Sequence, residues 1–136
     1  MAGKLIICKG LPASGKSTWA KEMERLRSGD LERVWIRVNK DEIRQAINKP
    51  WSHDVEKEVL RIRDFRICQG LSKGYAVISD DTNLAPTHET QLRALAHKYK
   101  ADFEVKSFLN VPLETCLERD AQRDEGRVGP DVINRM

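Results

Sequence analysis

The chain is poor in cysteine. It has three, Cys8, Cys68 and Cys116, widely spaced and with no CxxC pair. An odd, scattered count builds neither a disulfide framework nor a zinc site, and a reducing, cytoplasmic compartment is the expectation. Histidine is as scarce, and His53, His88 and His97 lack metal-ligand spacing. No apolar run approaches the roughly 20 residues that span a bilayer, and the apolar stretch near the N-terminus is too short for a signal peptide. Internal repeats, low-complexity tracts and Pro/Gly/Ser-rich linkers are absent too. Nor does one sign of charge dominate: 24 Lys and Arg against 21 Asp and Glu leave +3. A protein that coats long duplex nucleic acid carries a stronger basic excess, whereas a small anionic partner remains compatible with this balance.

What is present suits one globular domain. The chain has 136 residues, 40% hydrophobic and 33% charged, which is enough to bury a real core but too little for two full domains. Strand and helix patterns alternate. Residues 5–8 form a continuous apolar run, as in a strand buried on both faces. A Gly-rich turn follows, then a helix with Trp19, Ala20, Met23 and Leu26 on one face, with Gly29 as a plausible stop. Further strands are expected over 34–38, 75–78 and around Phe103, Val105 and Phe108. Helices are expected over 41–47 and 55–71, from Pro86, from Pro112 and from Asp131. A charged, Gly-containing segment is expected over 118–130. This alternation predicts a three-layer α/β sandwich: a parallel sheet of about four strands with helices on both faces. In such sheets ligands bind at the carboxyl ends of the strands, which directs attention to the residues after Cys8, Val38 and Ile78.

After the first strand, Gly10-Leu11-Pro12-Ala13-Ser14-Gly15-Lys16-Ser17 matches the P-loop pattern G-x-x-x-x-G-K-S/T in full. The loop wraps phosphate with backbone N–H groups, Lys16 reaches the β- and γ-phosphates, and the Ser17 hydroxyl binds Mg²⁺. The following helix adds its positive dipole end. A chance match is the bland alternative, but the strand-before, helix-after context argues against it.

A P-loop specifies a nucleotide, not a reaction. Past the second strand, Asp41 and Arg44 stand three residues apart, on one face of a helical turn. A kinase needs a carboxylate to orient an acceptor hydroxyl and take its proton, and gains from a nearby cation if the acceptor is an anion. A helix N-cap aspartate beside a solvated arginine is the plainer reading. The third strand ends in Asp80-Asp81-Thr82-Asn83, where a Walker-B aspartate stands, although Asp and Asn also favour turns. Arg119, Arg123 and Arg127 recur every four residues and suit a lid over the phosphates, or else a solvated charged helix. Asn39-Lys40-Asp41 lacks the spacer of the guanine-reading N-K-x-D motif and comes too early in the chain, which weakens a GTPase reading. Trp35 reads as core within its strand. Trp51, after Pro50, is the better candidate to stack a base.

These stretches together resemble the kinase domain of the phage-type 5′-polynucleotide kinases, of the kinase–phosphatase kind, within the P-loop phosphotransferases. The segments carrying the resemblance are residues 10–20, 38–45, 78–84 and 119–132. The resemblance implies transfer of the γ-phosphate of ATP, with Mg²⁺, to the 5′-hydroxyl of a single-stranded or nicked DNA or RNA end. It implies nucleotide contacts from Gly10, Ala13, Ser14, Gly15, Lys16, Ser17 and Thr18, with Ser17 on the metal. Lys16, Asp41 and Arg123 become the catalytic set, with Asp41 as general base. Arg44 takes the phosphate 3′ of the terminal nucleoside, Asp81 and Thr82 position Arg44 and the acceptor strand, and Arg119 and Arg123 come onto the ATP phosphates. Two departures stand out. Asp80-Asp81 replaces a single aspartate, with Asp81 kept in register with Thr82 and Asn83. The family also has more chain after the lid, often a phosphatase domain, so a domain spanning 1–136 and truncated in its last helix is the expectation. Two alternatives stay open: a small-molecule kinase acting on a sugar, nucleoside or antibiotic hydroxyl, and a nucleotide-dependent switch without phosphotransfer.

Overall fold

The computed structural model describes residues 2–27, 29, 33–123 and 128–134. Four parallel strands lie in the order β2-β3-β1-β4: β1 (Lys4–Lys9), β2 (Trp35–Val38), β3 (Ala76–Ser79) and β4 (Asp102–Ser107). Helices α1 (Lys16–Leu26), α2 (Lys40–Ile47), α3 (His53–Ser72), α4 (Pro86–Lys98), α5 (Leu113–Ala121) and α6 (Pro130–Asn134) fill the connections. The predicted three-layer α/β sandwich is what forms.

Side-chain alternation along β1 divides the core in two. Leu5 and Ile7 face a cluster built with Val77, Val59 and Ile67 of α3 and Leu92 and Ala96 of α4. Ile6 and Cys8 face the other side, with Ile78, Ala20 of α1, and the half-buried Trp19, Met23, Trp35 and Phe108. Leu5, Ile7, Val77 and Ile78 are fully buried, each contributing about 1.5–3 kcal/mol relative to exposure. Both faces of the central strands are therefore covered, which is why they read as unbroken apolar runs.

Helix starts follow their caps. The Asn39 side chain accepts from the Glu42 N–H at 2.9 Å, so Asn39, not Asp41, is the N-cap of α2. The Ser52 hydroxyl caps α3 through the Val55 N–H at 3.1 Å, and Pro86 occupies the first turn of α4. Helix α1 ends at Leu26, three residues before the expected Gly29. Helix α5 runs through Ala121, so residues 118–121 of the expected charged segment are helical. Residues 124–127, including Arg127, lie outside the described residues, as do 135–136 at the end of the expected last helix. Phe108 falls one residue past β4 and packs edge-on to Trp19 with centroids 6.1 Å apart. No helix among the described residues is long and apolar enough to cross a membrane.

Candidate active site

At the carboxyl end of the sheet, residues 10–17 turn tightly between β1 and α1. Gly10 and Ser14 are buried beneath the turn. A Cβ on Gly10 would come within 2.7 Å of the Ser14 hydroxyl and 2.9 Å of the Phe108 Cβ, so only glycine fits. The Gly10 N–H donates to the Thr82 carbonyl at 3.1 Å, which fastens the loop to the end of β3. Ala13 has φ 64° and Gly15 φ 107°, both left-handed. Those turns leave the first N–H groups of α1 without a side-chain cap, as an anion cradle requires.

Lys16 is 6% exposed, and its ammonium donates to the Leu11 carbonyl at 2.7 Å. Burial pulls its pKa below the ordinary lysine value. The Ser14 hydroxyl is buried without a partner. Around this loop opens a cleft of about 800 Å³. Ala13, Gly15, Lys16, Ser17 and Thr18 form one wall, Asp41, Arg44, Asp81 and Thr82 another, and Arg119 and Arg123 a third. Of the residues expected at the site, only Gly10 and Ser14 lie below its surface. Five cations, Lys16, Lys40, Arg44, Arg119 and Arg123, line it with four carboxylates, Glu22, Asp41, Asp80 and Asp81, so phosphates meet a small cationic excess.

The wall opposite the loop rests on α2. Asp41 and Arg44 share the first turns, and an Arg44 Nη1–H donates to Asp41 Oδ1 at 2.5 Å. Arg44 also donates to both oxygens of Glu56 on α3, at 2.5 and 3.1 Å. The Arg44 hydrogen bond holds the Glu56 carboxyl below the usual carboxylate range. The carboxylate partners of Arg44 are thus Asp41 and Glu56. Asp81 instead accepts from the Lys40 N–H at 2.9 Å, at the start of α2. The Asp81 carboxyl is 8% exposed with Oδ2 unpartnered, and burial pushes its pKa up.

The third wall comes from the end of α5. An Arg119 Nη1–H donates to the Ala13 carbonyl at 3.3 Å, so this arginine already touches the loop. Arg123 follows the helix and is one-third exposed, with Nη1 3.8 Å from Asp120. Asp120, 1% exposed, accepts from the N–H groups of Val128 and Gly129 at 2.7 and 2.8 Å. It thereby ties the chain ahead of α6 back to α5 and sets where Arg123 leaves the helix. Sequence reasoning passed over Glu56, Asp120 and Arg37. Each acts through a partner distant in sequence or through a backbone N–H, so no local pattern marks it.

A family model described as an AAA domain matches residues 5–136. The chain belongs to this AAA-domain family. Its L-seryl-tRNA(Sec) kinase relative from Methanococcus maripaludis is 27% identical over 97% of this chain and 50% of that protein. An adenylyl-sulfate kinase from Clostridium kluyveri is 31% identical over 87% of this chain and 58% of the relative. Among solved structures, a chain of the Pnkp1/Rnl/Hen1 RNA repair complex superposes with a TM-score of 0.82 at 28% identity, over 98% of this chain and 42% of that one. The AAA domain thus spans about half the length of the curated relatives it matches, 50% and 58%. It is thus a P-loop domain of the AAA-domain family that is similar to kinases.

Proposed function

We propose that the domain is an ATP-dependent polynucleotide 5′-hydroxyl kinase that phosphorylates DNA or RNA ends. The observation carrying this reading is the Asp41–Arg44 pair, bonded at 2.5 Å, across one cleft from Lys16, Arg119 and Arg123. An acceptor hydroxyl entering beside Asp41 gives up its proton to that carboxylate as its oxygen bonds to the γ-phosphorus of ATP, while the bond from the γ-phosphorus to the β,γ-bridging oxygen breaks and ADP leaves. Arg44 takes the anionic phosphate one nucleotide along. Asp41 and Arg44 then hold hydroxyl and phosphate in fixed relation, which suits an end of a polynucleotide.

On the donor side, the N–H groups of residues 13–18 and the Lys16 ammonium bind the phosphates. Arg119 and Arg123 neutralise the charge that spreads over the transferring group. The donor set fits Mg²⁺: the Ser17 hydroxyl is at the loop, and Asp80 keeps one buried oxygen, Oδ1, without a partner. Hard oxygen donors of this kind suit that ion. Held by Ser17 and Asp80, Mg²⁺ would neutralise charge on the donor phosphates.

The test is transfer from labelled ATP to 5′-hydroxyl DNA and RNA oligonucleotides beside a panel of sugars and nucleosides. Transfer to oligonucleotides is expected. Asp41→Ala should cut kcat by roughly 10²–10⁴-fold with ADP affinity unchanged, because a base acts on the chemistry. Transfer confined to a small molecule overturns the reading. A small-molecule kinase is the second reading, and one observation favours it: Arg44 already pairs with two carboxylates, Asp41 and Glu56, as an arginine that only braces α2 against α3 would.

A further inference from the structure

Arg37 lies at the middle of the carboxyl end of β2, and its guanidinium is only 8% exposed. Strand alternation puts it on the same face as Trp35, the α1 side of the sheet. Its Nε–H donates to Asp80 Oδ2 at 2.6 Å, and an Nη1–H donates to Glu42 Oε1 at 2.6 Å. Its backbone N–H donates to Glu24 of α1 at 2.9 Å. Asp80 is 1% exposed and continues β3 past Ser79, which pairs with Ile7 on one side and Val38 on the other. The carboxylate is therefore level with Cys8 and Asn39, between the P-loop and the start of α2.

We propose that Arg37 is a positioning residue: it clamps Oδ2 of Asp80 so that Oδ1, buried and unpartnered, is turned to the metal–nucleotide on the P-loop. The adjacent aspartates then divide their work. Asp80 serves the donor half through Arg37, and Asp81 serves the acceptor half through the Lys40 N–H. A buried carboxylate needs its orientation fixed, because a free rotation would exchange the open oxygen for the paired one. A guanidinium holding it from behind does this without reaching the cleft, as outer partners of metal-side carboxylates do. The second arm runs to Glu42, next to Asp41, so one side chain joins the donor carboxylate to the helix that carries the acceptor residues.

The inference rests on the reading of the cleft as a metal–nucleotide site, and its test is direct binding of Mn²⁺·ADP, followed by Mn²⁺ electron paramagnetic resonance. No Mn²⁺·ADP binding by the unaltered domain overturns that reading itself. With binding in hand, Arg37→Met is expected to weaken Mn²⁺·ADP on the order of tenfold while metal-free ADP binds as before. Arg37→Lys recovers part of the loss, since an ammonium can hold one carboxylate. Glu42→Ala removes only the exposed arm and should leave Mn²⁺·ADP affinity unchanged. The double variant Arg37→Met/Asp80→Asn should bind Mn²⁺·ADP no worse than Asp80→Asn alone, because Arg37 acts through Asp80. A lower melting temperature with unaltered Mn²⁺·ADP affinity in Arg37→Met overturns the proposal and leaves a structural strut; additive losses in the double variant overturn it too. Should Arg37→Met not fold, the double variant, which buries no unpaired charge, and Arg37→Lys decide by the same readings.

Discussion

Arg44 and Glu56 meet through two hydrogen bonds, Nη2 to Oε1 at 2.5 Å and Nε to Oε2 at 3.1 Å, across the α2–α3 junction. The pair fixes the guanidinium plane and leaves Nη1 for Asp41. Glu56→Ala removes the fixed plane but no group that reaches the chemistry. The acceptor KM should therefore rise about fivefold, near 1 kcal/mol for a partly exposed two-pronged pair, with kcat altered less. Steady-state kinetics at saturating ATP measure this. A fall in kcat alone would move Glu56 from positioning Arg44 into the catalytic step.

This pair marks where the sequence stops being readable. The strands were legible because β1 and β3 are covered on both faces and are thus continuously apolar. The loop at residues 10–17 was legible because its glycines answer to local needs: Gly10 to a close approach by Ser14 and Phe108, Gly15 to a left-handed φ. Asp41, Arg44, Arg119 and Arg123 line one cleft because strand ends and helical spacing point to one place. Their partners were not legible. Arg37 and Asp80 are 43 residues apart, and Arg44 and Glu56 are 12 apart. Only the sheet order and the packing of α3 bring them together. Asp80 and Asp81 are identical in type and adjacent. What separates them is the face each takes as the chain leaves β3, which the sequence does not encode locally.

Lys16 carries a cost that ligand binding relieves. Its ammonium is buried against the Leu11 carbonyl, and burial lowers its pKa. That carbonyl also accepts from the Ser14 N–H at 3.2 Å, so it stays satisfied without the lysine. Lys16→Met should then stabilise the ligand-free domain by about 1 kcal/mol, roughly 2–4 °C in melting temperature, while weakening ADP roughly 100-fold. Calorimetric melting and ADP titration check both halves. A destabilised Lys16→Met protein would show that the ammonium is a structural group.

Cys8 gives a pH signature of the same end of β1. Burial, with Asp80 adding to it, pushes the thiol up to about 12. An unfolded cysteine ionises near about 8.5, so the folded state favours the neutral form. The folded pKa lies above the unfolded one; the stability that Cys8 contributes is complete below about pH 8.5 and declines as pH rises toward 12. At pH 9 iodoacetamide should modify the half-buried Cys68 in the native protein and reach Cys8 only after unfolding. Peptide mass mapping separates the two sites. Labelling of native Cys8 would mean that the P-loop end of the sheet opens to solvent.

Trp51 is 67% exposed, the most exposed large apolar side chain among the described residues. It is not loose, because its ring stands edge-on to His53 with centroids 5.1 Å apart. His53 opens α3, and one turn later Glu56 holds Arg44 at the cleft. Under the proposed reading, an acceptor strand that leaves Arg44 along the start of α3 would pass this indole. A base stacked on an aromatic ring contributes about 1–3 kcal/mol. Trp51→Ala should accordingly raise the KM for a 5′-hydroxyl oligonucleotide roughly tenfold, while Trp51→Tyr, which keeps a stacking face, restores most of it. A nucleoside 3′-phosphate, too short to reach Trp51, should show no change with either variant. Equal effects on the short and long acceptors would place the tryptophan's role in folding, and no effect on either would remove Trp51 from the acceptor path.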